Sequence, residues 1–179
     1  MEHEVLHLTR THISHAHMDE LDSVFYEASA RKDFLSPEAR AAFRDLWLGS
    51  YLTHDEQETF VALDEAGHIA GYIVGSLEDP AGQPRYATLG YFEQFAPLTR
   101  IYPAHLHINV ASQHRSRGIG ADLLAAFLEH ITAKASPGVH VVTGQGMRNV
   151  GFYLANGFQQ LAAAPWNGRT VVMLGRKLP

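Results

Sequence analysis

Cysteine is absent from the 179-residue chain, which excludes a disulfide framework, a thiolate nucleophile and a cysteine-ligated zinc site. Positive charge is too scarce for a broad basic face. The 14 Lys and Arg are outnumbered by 19 Asp and Glu, a net charge of −5, so neither nucleic acid nor a membrane surface is expected as a partner. Long apolar runs are missing as well. No stretch approaches the ~18 consecutive apolar residues of a membrane span, and the polar, His-rich residues 1–8 lack the basic-then-apolar order of an export signal. A cytoplasmic protein is the expectation. No internal repeat, low-complexity tract or linker divides the chain, and 46% hydrophobic residues suffice for one core, so a single domain over residues 1–179 is expected.

What is present has a readable order. Residues 4–9 suggest a short strand, and Leu21, Val24, Phe25 and Ala28 recur at helical spacing within 18–31. Ser36 before Pro37 has the form of an N-cap and first helical position. Ala42, Phe43, Leu46 and Trp47 then share one face, predicting a second helix that ends near Gly49. Residues 59–63 and 69–77 form a hairpin about the turn Asp64-Glu65-Ala66-Gly67. Residues 78–85 carry Pro80, Gly82 and Pro84 and are loop, while 86–103 form an aromatic-rich connection with no assignable element. Alternation through His105-Leu106-His107-Ile108-Asn109-Val110 predicts a strand. Leu123, Leu124, Phe127, Leu128 and Ile131 predict a helix over 120–134, and 139–143 the next strand, so 105–143 is a βαβ unit with parallel strands. A helix over 149–156 and an antiparallel pair, 158–163 with 169–174, close the chain.

The chemistry concentrates between strand and helix, at Arg115-Ser116-Arg117-Gly118-Ile119-Gly120-Ala121. The first N–H groups of a helix have no intrahelical acceptor and sit at the positive end of its dipole, so this place favours a phosphate. Gly118 and Gly120 let backbone approach an anion closely, and the arginines add charge. The segment lacks the third glycine of a dinucleotide-binding fingerprint and the Gly-Lys-Ser/Thr of a Walker A loop. Read blandly, the glycines make a tight turn and Arg115 and Arg117 are solvated surface charges.

Arg115-Ser116-Arg117-Gly118-Ile119-Gly120 matches the R/Q-x-x-G-x-G/A signature of the GNAT acetyltransferases. Downstream, Asn149, Phe152-Tyr153 and Gly157-Phe158 resemble that family's second element, and Gly71-Tyr72-Ile73-Val74-Gly75 resembles its third strand. Tyr102-Pro103-Ala104-His105-Leu106-His107-Ile108-Asn109 and Pro137-Gly138-Val139-His140 further resemble bacterial members akin to the acetyltransferase-like domain of bifunctional O-GlcNAcase. The resemblance implies an α/β (α+β) fold: a mixed, mostly antiparallel sheet flanked by helices, with the βαβ unit at its centre. It implies acetyl-CoA as cosubstrate and an amine-bearing acceptor as partner, with no metal, and makes a homodimer plausible. It also implies that Ile108, Asn109, Val110 and Ala111 pair with pantetheine, that pyrophosphate lies on residues 115–121, and that Asn149 and Phe152 contact the coenzyme. Tyr153 would protonate the departing thiolate. Tyr153 and Phe152 also suit a core, and Asn149 a helix cap.

With no cysteine and no Gly-x-Ser-x-Gly elbow, direct transfer in a ternary complex is favoured over an acyl-enzyme. The acceptor ammonium must first lose a proton. His107 is the first candidate base, with His105 and Glu93 behind it. The 12 histidines raise a metal-hydrolase alternative, but no spacing specifies a third ligand beside His105 and His107; His12, His15 and His17 fit the polar approach to a helix. A noncatalytic acyl-CoA-binding module is the alternative from another functional class.

Overall fold

The computed structural model describes residues 3–10 and 13–179. In chain order it contains β1 (Glu4–His7), α1 (His15–Ala28), α2 (Pro37–Arg44), a π-helical segment (Asp45–Gly49), α3 (Ser50–His54), β2 (Phe60–Leu63) and β3 (Ile69–Ser76). There follow α4 (Tyr91–Thr99), β4 (Ala104–Val110), α5 (Ile119–Ala133), β5 (Gly138–Gly144), α6 (Arg148–Ala155), β6 (Gln159–Trp166) and β7 (Arg169–Lys177). The strands form a seven-stranded sheet in the order β1-β2-β3-β4-β5-β7-β6. Pairing is parallel for β4 with β5 and antiparallel for β1 with β2, β2 with β3, and β7 with both β5 and β6. This is the mixed, mostly antiparallel sheet with a βαβ unit expected above. Two compact units divide the chain: one from Met1–Gly75 with His107–His130, the other from Ser76–Leu106 with Ile131–Pro179.

In the first unit, local signals set the entry to each helix. At α1 the His17 amide donates to Ser14 Oγ at 3.3 Å and the Ser14 amide to His17 Nδ1 at 3.1 Å, a reciprocal cap. The acceptor role of Nδ1 makes Nε2 the protonated nitrogen, and it donates to the Gly67 carbonyl at 3.0 Å. His17 therefore ties α1 to the hairpin turn; His12 lies outside the described residues. Ser36 caps α2 through the Ala39 amide at 3.2 Å, with Pro37 in the first turn. The helix expected to end near Gly49 instead runs on through the π segment to His54, because Gly49 keeps right-handed helical angles of φ −60° and ψ −41°. β3 is buried along its whole length. Gly71 matters there: a Cβ at that position would come within 2.9 Å of the Asn109 carbonyl oxygen, so glycine lets β3 lie close against the end of β4.

In the second unit, β5 and β7 pair over seven residues, from Gly138↔Lys177 to Gly144↔Val171. The aromatic connection over 86–103, unassigned from sequence, contains α4. Tyr91, Phe92, Phe95 and Thr99 bury one of its faces, but Pro97 interrupts the pattern and the Gly90 cap supplies no side-chain bond. Phe92 packs against both His105 and His140, and the two imidazoles stack at 5.6 Å and 29°.

His140 is fully buried and donates through Nδ1 to the Tyr102 carbonyl, which fixes its neutral tautomer. Burial pushes its pKa down from 6.5 to about 4. Between those values the unfolded chain takes up a proton that the native ring refuses. Stability is therefore expected to fall as pH drops from 6.5 to about 4, by an amount on the order of 3 kcal/mol from this group. Urea unfolding across that range checks it: His140→Phe should lose part of the acid slope, and an identical slope would show that His140 does not set it.

Candidate functional site

The turn between β4 and α5 is built by short backbone bonds. The Ala111 amide donates to the Ala70 carbonyl at 2.9 Å and ends the strand, and Ser112–His114 make a single 3₁₀ turn. The Arg115 amide then donates to the Ser112 carbonyl at 3.3 Å. The first amide of the expected phosphate cradle therefore already has an acceptor within the chain. Ser116 and Gly118 have φ of 62° and 87°, the left-handed geometry in which successive N–H groups can converge on one anion. The Gly118 carbonyl starts α5, accepting from the Ala121 amide at 2.8 Å and the Asp122 amide at 3.0 Å. A Cβ at Gly118 would meet only Asp122 Oδ2, at 3.9 Å, so the space over the turn is open. Gly120 is the second residue of α5 and contributes small size at the helix entrance.

Carboxylates brace this turn, a feature that no sequence signal carried. Both Glu27 oxygens accept from the Ser112 amide at 3.3 Å, and hydrogen bonds from the Ser112 hydroxyl and amide hold the Glu27 carboxyl below its ordinary range. Asp64 lies 3.6 Å from His114 Nε2, and Asp122 pairs with His3 at 2.8 Å. A pocket of about 200 Å³ lies alongside, lined by His3, Asp64, Glu65, Ala66, His114, Arg117 and Ile119. Arg115 is exposed, yet it is not simply solvated: its Nε donates to the Val110 carbonyl at 3.0 Å.

Strand geometry sorts the four residues expected to meet pantetheine, Ile108 to Val110 in β4 and Ala111 just past its end. Within a strand the backbone groups of successive residues point to opposite edges. The Ala111 amide is bonded to β3 and the Asn109 carbonyl abuts Gly71, so both residues turn their polar groups to that edge. Ile108 and Val110 turn theirs to the opposite edge. The Asn109 side chain has a partner too, donating from Nδ2 to Tyr72 Oη at 2.7 Å. Burial raises the Tyr72 pKa, keeping the phenol neutral.

His107 is half-buried on β4. Its ring is held edge-on by Trp47 at 5.1 Å and by Tyr51 at 5.4 Å. Trp47 sits in the π-helical segment, and π turns inside helices are frequent at functional sites.

In the second unit Tyr153 is 4% exposed, with its ring 5.3 Å from those of Phe152 and Phe158. Burial raises its pKa, so its hydroxyl stays protonated at neutral pH. Phe152 is half-buried beside it. Asn149 is not the cap of α6. Met147 holds that position, and Asn149 Oδ1 accepts from the Thr143 hydroxyl at 3.0 Å, tying the helix to the end of β5. His105 is 3% exposed among the rings of Tyr86, Phe92 and His140, while Glu93 stands exposed in the first turn of α4. Among the described residues no group of three His, Cys, Asp or Glu side chains is placed to hold a metal ion. No described helix is long and apolar enough to cross a membrane.

Residues 55–160, more than half of the chain, match the model of the acetyltransferase (GNAT) domain. The chain belongs to the GNAT acetyltransferase family. Solved structures extend the likeness of fold to the whole length. SsHAT is 21% identical with a TM-score of 0.76, covering 99% of this chain and 98% of its own. PH1933 from Pyrococcus horikoshii OT3 is 17% identical with a TM-score of 0.74, covering 99% of both chains. A phosphinothricin acetyltransferase from Sinorhizobium meliloti, solved in complex with AcCoA, is 20% identical with a TM-score of 0.63, covering 99% of this GNAT chain and 89% of its own.

Proposed function

We propose that this GNAT protein transfers an acetyl or other short acyl group from acetyl-CoA to an amine, directly within a ternary complex. The observation that carries the reading is the open left-handed turn at Ser116 and Gly118, set between β4 and the N-terminus of α5. A diphosphate on the amides of residues 116–120 would satisfy helix-end donors and lie at the positive end of the dipole, with Arg117 adding charge. Pantetheine would pair with the outward backbone groups of Ile108 and Val110. Asn149 and Phe152 would contact the coenzyme from α6.

The reaction needs two proton transfers. The acceptor ammonium gives a proton to a base, its nitrogen lone pair attacks the thioester carbonyl carbon, and the carbon–sulfur bond breaks as the amide forms. The thiolate leaves with the sulfur electron pair and takes a proton. We assign the base to His107 and the acid to Tyr153, whose burial keeps the proton in place until charge develops on sulfur. Sequence likeness over residues 102–109 and 137–140 is the ground for placing the protein with bacterial members akin to the O-GlcNAcase acetyltransferase-like domain.

CoA release measured with a panel of amines tests the reading; acetyl-CoA binding without release on any amine would mark a noncatalytic binding module. His107→Ala should lower turnover by about 10²-fold with an altered pH profile and nearly constant affinity for acetyl-CoA. An unchanged pH–rate profile would transfer the base role to Glu93 or to water.

A further inference from the structure

We infer that the Asn109 side chain, held in place by Tyr72, accepts a hydrogen bond from the acceptor nitrogen beside His107 and so selects an amine over a hydroxyl. The inference rests on the acyltransferase reading above and adds how the same site tells two nucleophiles apart. Alternation along β4 sets His107 and Asn109 on one face and Ile108 and Val110 on the other. Contacts identify the faces. A Cβ on Gly71 would lie 3.2 Å from Val110 Cγ2 and 3.3 Å from Leu123 Cδ1, so Val110 and α5 share one side of the sheet. His107 is on the other side, edge-on to Trp47 and Tyr51. Asn109 is there too, because Tyr72, which takes its amide, lies close enough to Asp22 of α1 and Arg44 of α2 for both charges to act on it.

One arm of the Asn109 amide is already engaged. Nδ2 donates to Tyr72 Oη at 2.7 Å, and Tyr72 is fully buried, so packing fixes the ring that holds the amide. Burial also keeps that phenol neutral. With Nδ2 fixed, the planar amide turns Oδ1 away from the phenol, and among the described residues no donor is placed on it. Asn109 is only half-buried, which leaves the amide open to a ligand. An amide oxygen accepts hydrogen bonds and never donates them. A primary ammonium suits it: one proton goes to His107, a second N–H bonds to Oδ1, and the lone pair that deprotonation leaves attacks the thioester carbonyl carbon. A hydroxyl brings a single O–H. Once that proton goes to His107, the attacking oxygen sets its lone pairs against Oδ1, which loses a bond and meets a repulsion. Tyr72 touches no substrate in this arrangement; it is a positioning residue that acts through Asn109.

The test uses the full chain with acetyl-CoA, n-butylamine as acceptor and n-butanol as its competitor. Asn109→Leu, which keeps the volume and removes the amide, should lower kcat/KM for n-butylamine about tenfold, while the affinity for acetyl-CoA and the inhibition constant of n-butanol change at most about twofold. Asn109→Asp retains an acceptor oxygen, to which the Tyr72 hydroxyl can donate, and should recover most of the loss. Tyr72→Phe should lower kcat/KM about fivefold on its own and add nothing in the Asn109→Leu background, since it acts only through that amide. An unchanged kcat/KM in folded Asn109→Leu, an equal loss of n-butanol affinity, or additive losses in the double variant overturns the inference. Binding separates its failure from that of the acyltransferase reading. The Asn109 side-chain amide resonances of isotope-labelled protein, identified by their loss in Asn109→Leu, should shift saturably with n-butylamine even where no amine is acetylated; absence of a saturable shift overturns the inference.

Discussion

Replacing Tyr153 by phenylalanine is expected to slow single-turnover acyl transfer by about 10²- to 10⁴-fold, the usual worth of general acid catalysis. The substitution removes one oxygen and keeps the ring, so the packing of residue 153 on Phe152 and Phe158 survives and melting should shift little. Burial has already raised the pKa of this phenol, so at neutral pH it carries its proton. The departing sulfur gathers negative charge only in the transition state, so the lost hydrogen bond should appear in kcat and hardly in the affinity for acetyl-CoA. Wild-type single-turnover rates in the folded variant would leave Tyr153 as a core aromatic.

Legibility from sequence follows the range of the physics involved. The βαβ unit was readable because its signals are local and periodic: alternation at residues 105–110, helical spacing from Leu123 to Ile131, and a glycine-rich turn between them. The reciprocal Ser14–His17 cap and the Ser36-Pro37 start are likewise set by neighbours in sequence. α4 was not readable, since Pro97 breaks its pattern and its burial depends on partners elsewhere in the second unit. The continuation of α2 to His54 was missed for a related reason. Glycine usually ends helices through positive φ, whereas Gly49 remains helical and the π turn absorbs the change.

The candidate site divides in the same way. The glycine turn proposed to take the diphosphate is visible as a motif, but the partners around it come from far along the chain: Glu27 on Ser112, Asp64 beside His114, Tyr72 on Asn109. Contacts of that separation leave no periodic trace. Trp47 was readable as one residue of an amphipathic face; that its edge meets His107 was not. Arg115 shows the limit from the other side, where a residue of the motif spends its amide on Ser112 and its Nε on Val110.

Gly120→Glu should abolish the thermal stabilisation that acetyl-CoA gives the wild-type protein. A ligand that binds only the folded state adds about 2.7 kcal/mol at a hundred times its dissociation constant. For a chain of this length that corresponds to a melting shift of roughly 5–10 °C. Gly120 is the second residue of α5, where a glutamate suits the helix itself, because a negative charge near an N-terminus interacts favourably with the dipole. The unliganded variant is therefore expected to stay folded, which separates loss of binding from loss of structure. What the carboxylate does is occupy the anion position with its own charge. It adds bulk where the Gly118 turn lies open and sets a like charge against the diphosphate, where Asp122 already stands in the same turn of the helix. Gly120→Ala is the control, since one methyl carries no charge and raises helix propensity; it should retain most of the shift. Tight acetyl-CoA binding by the folded Gly120→Glu protein would move the pyrophosphate away from the α5 entrance altogether.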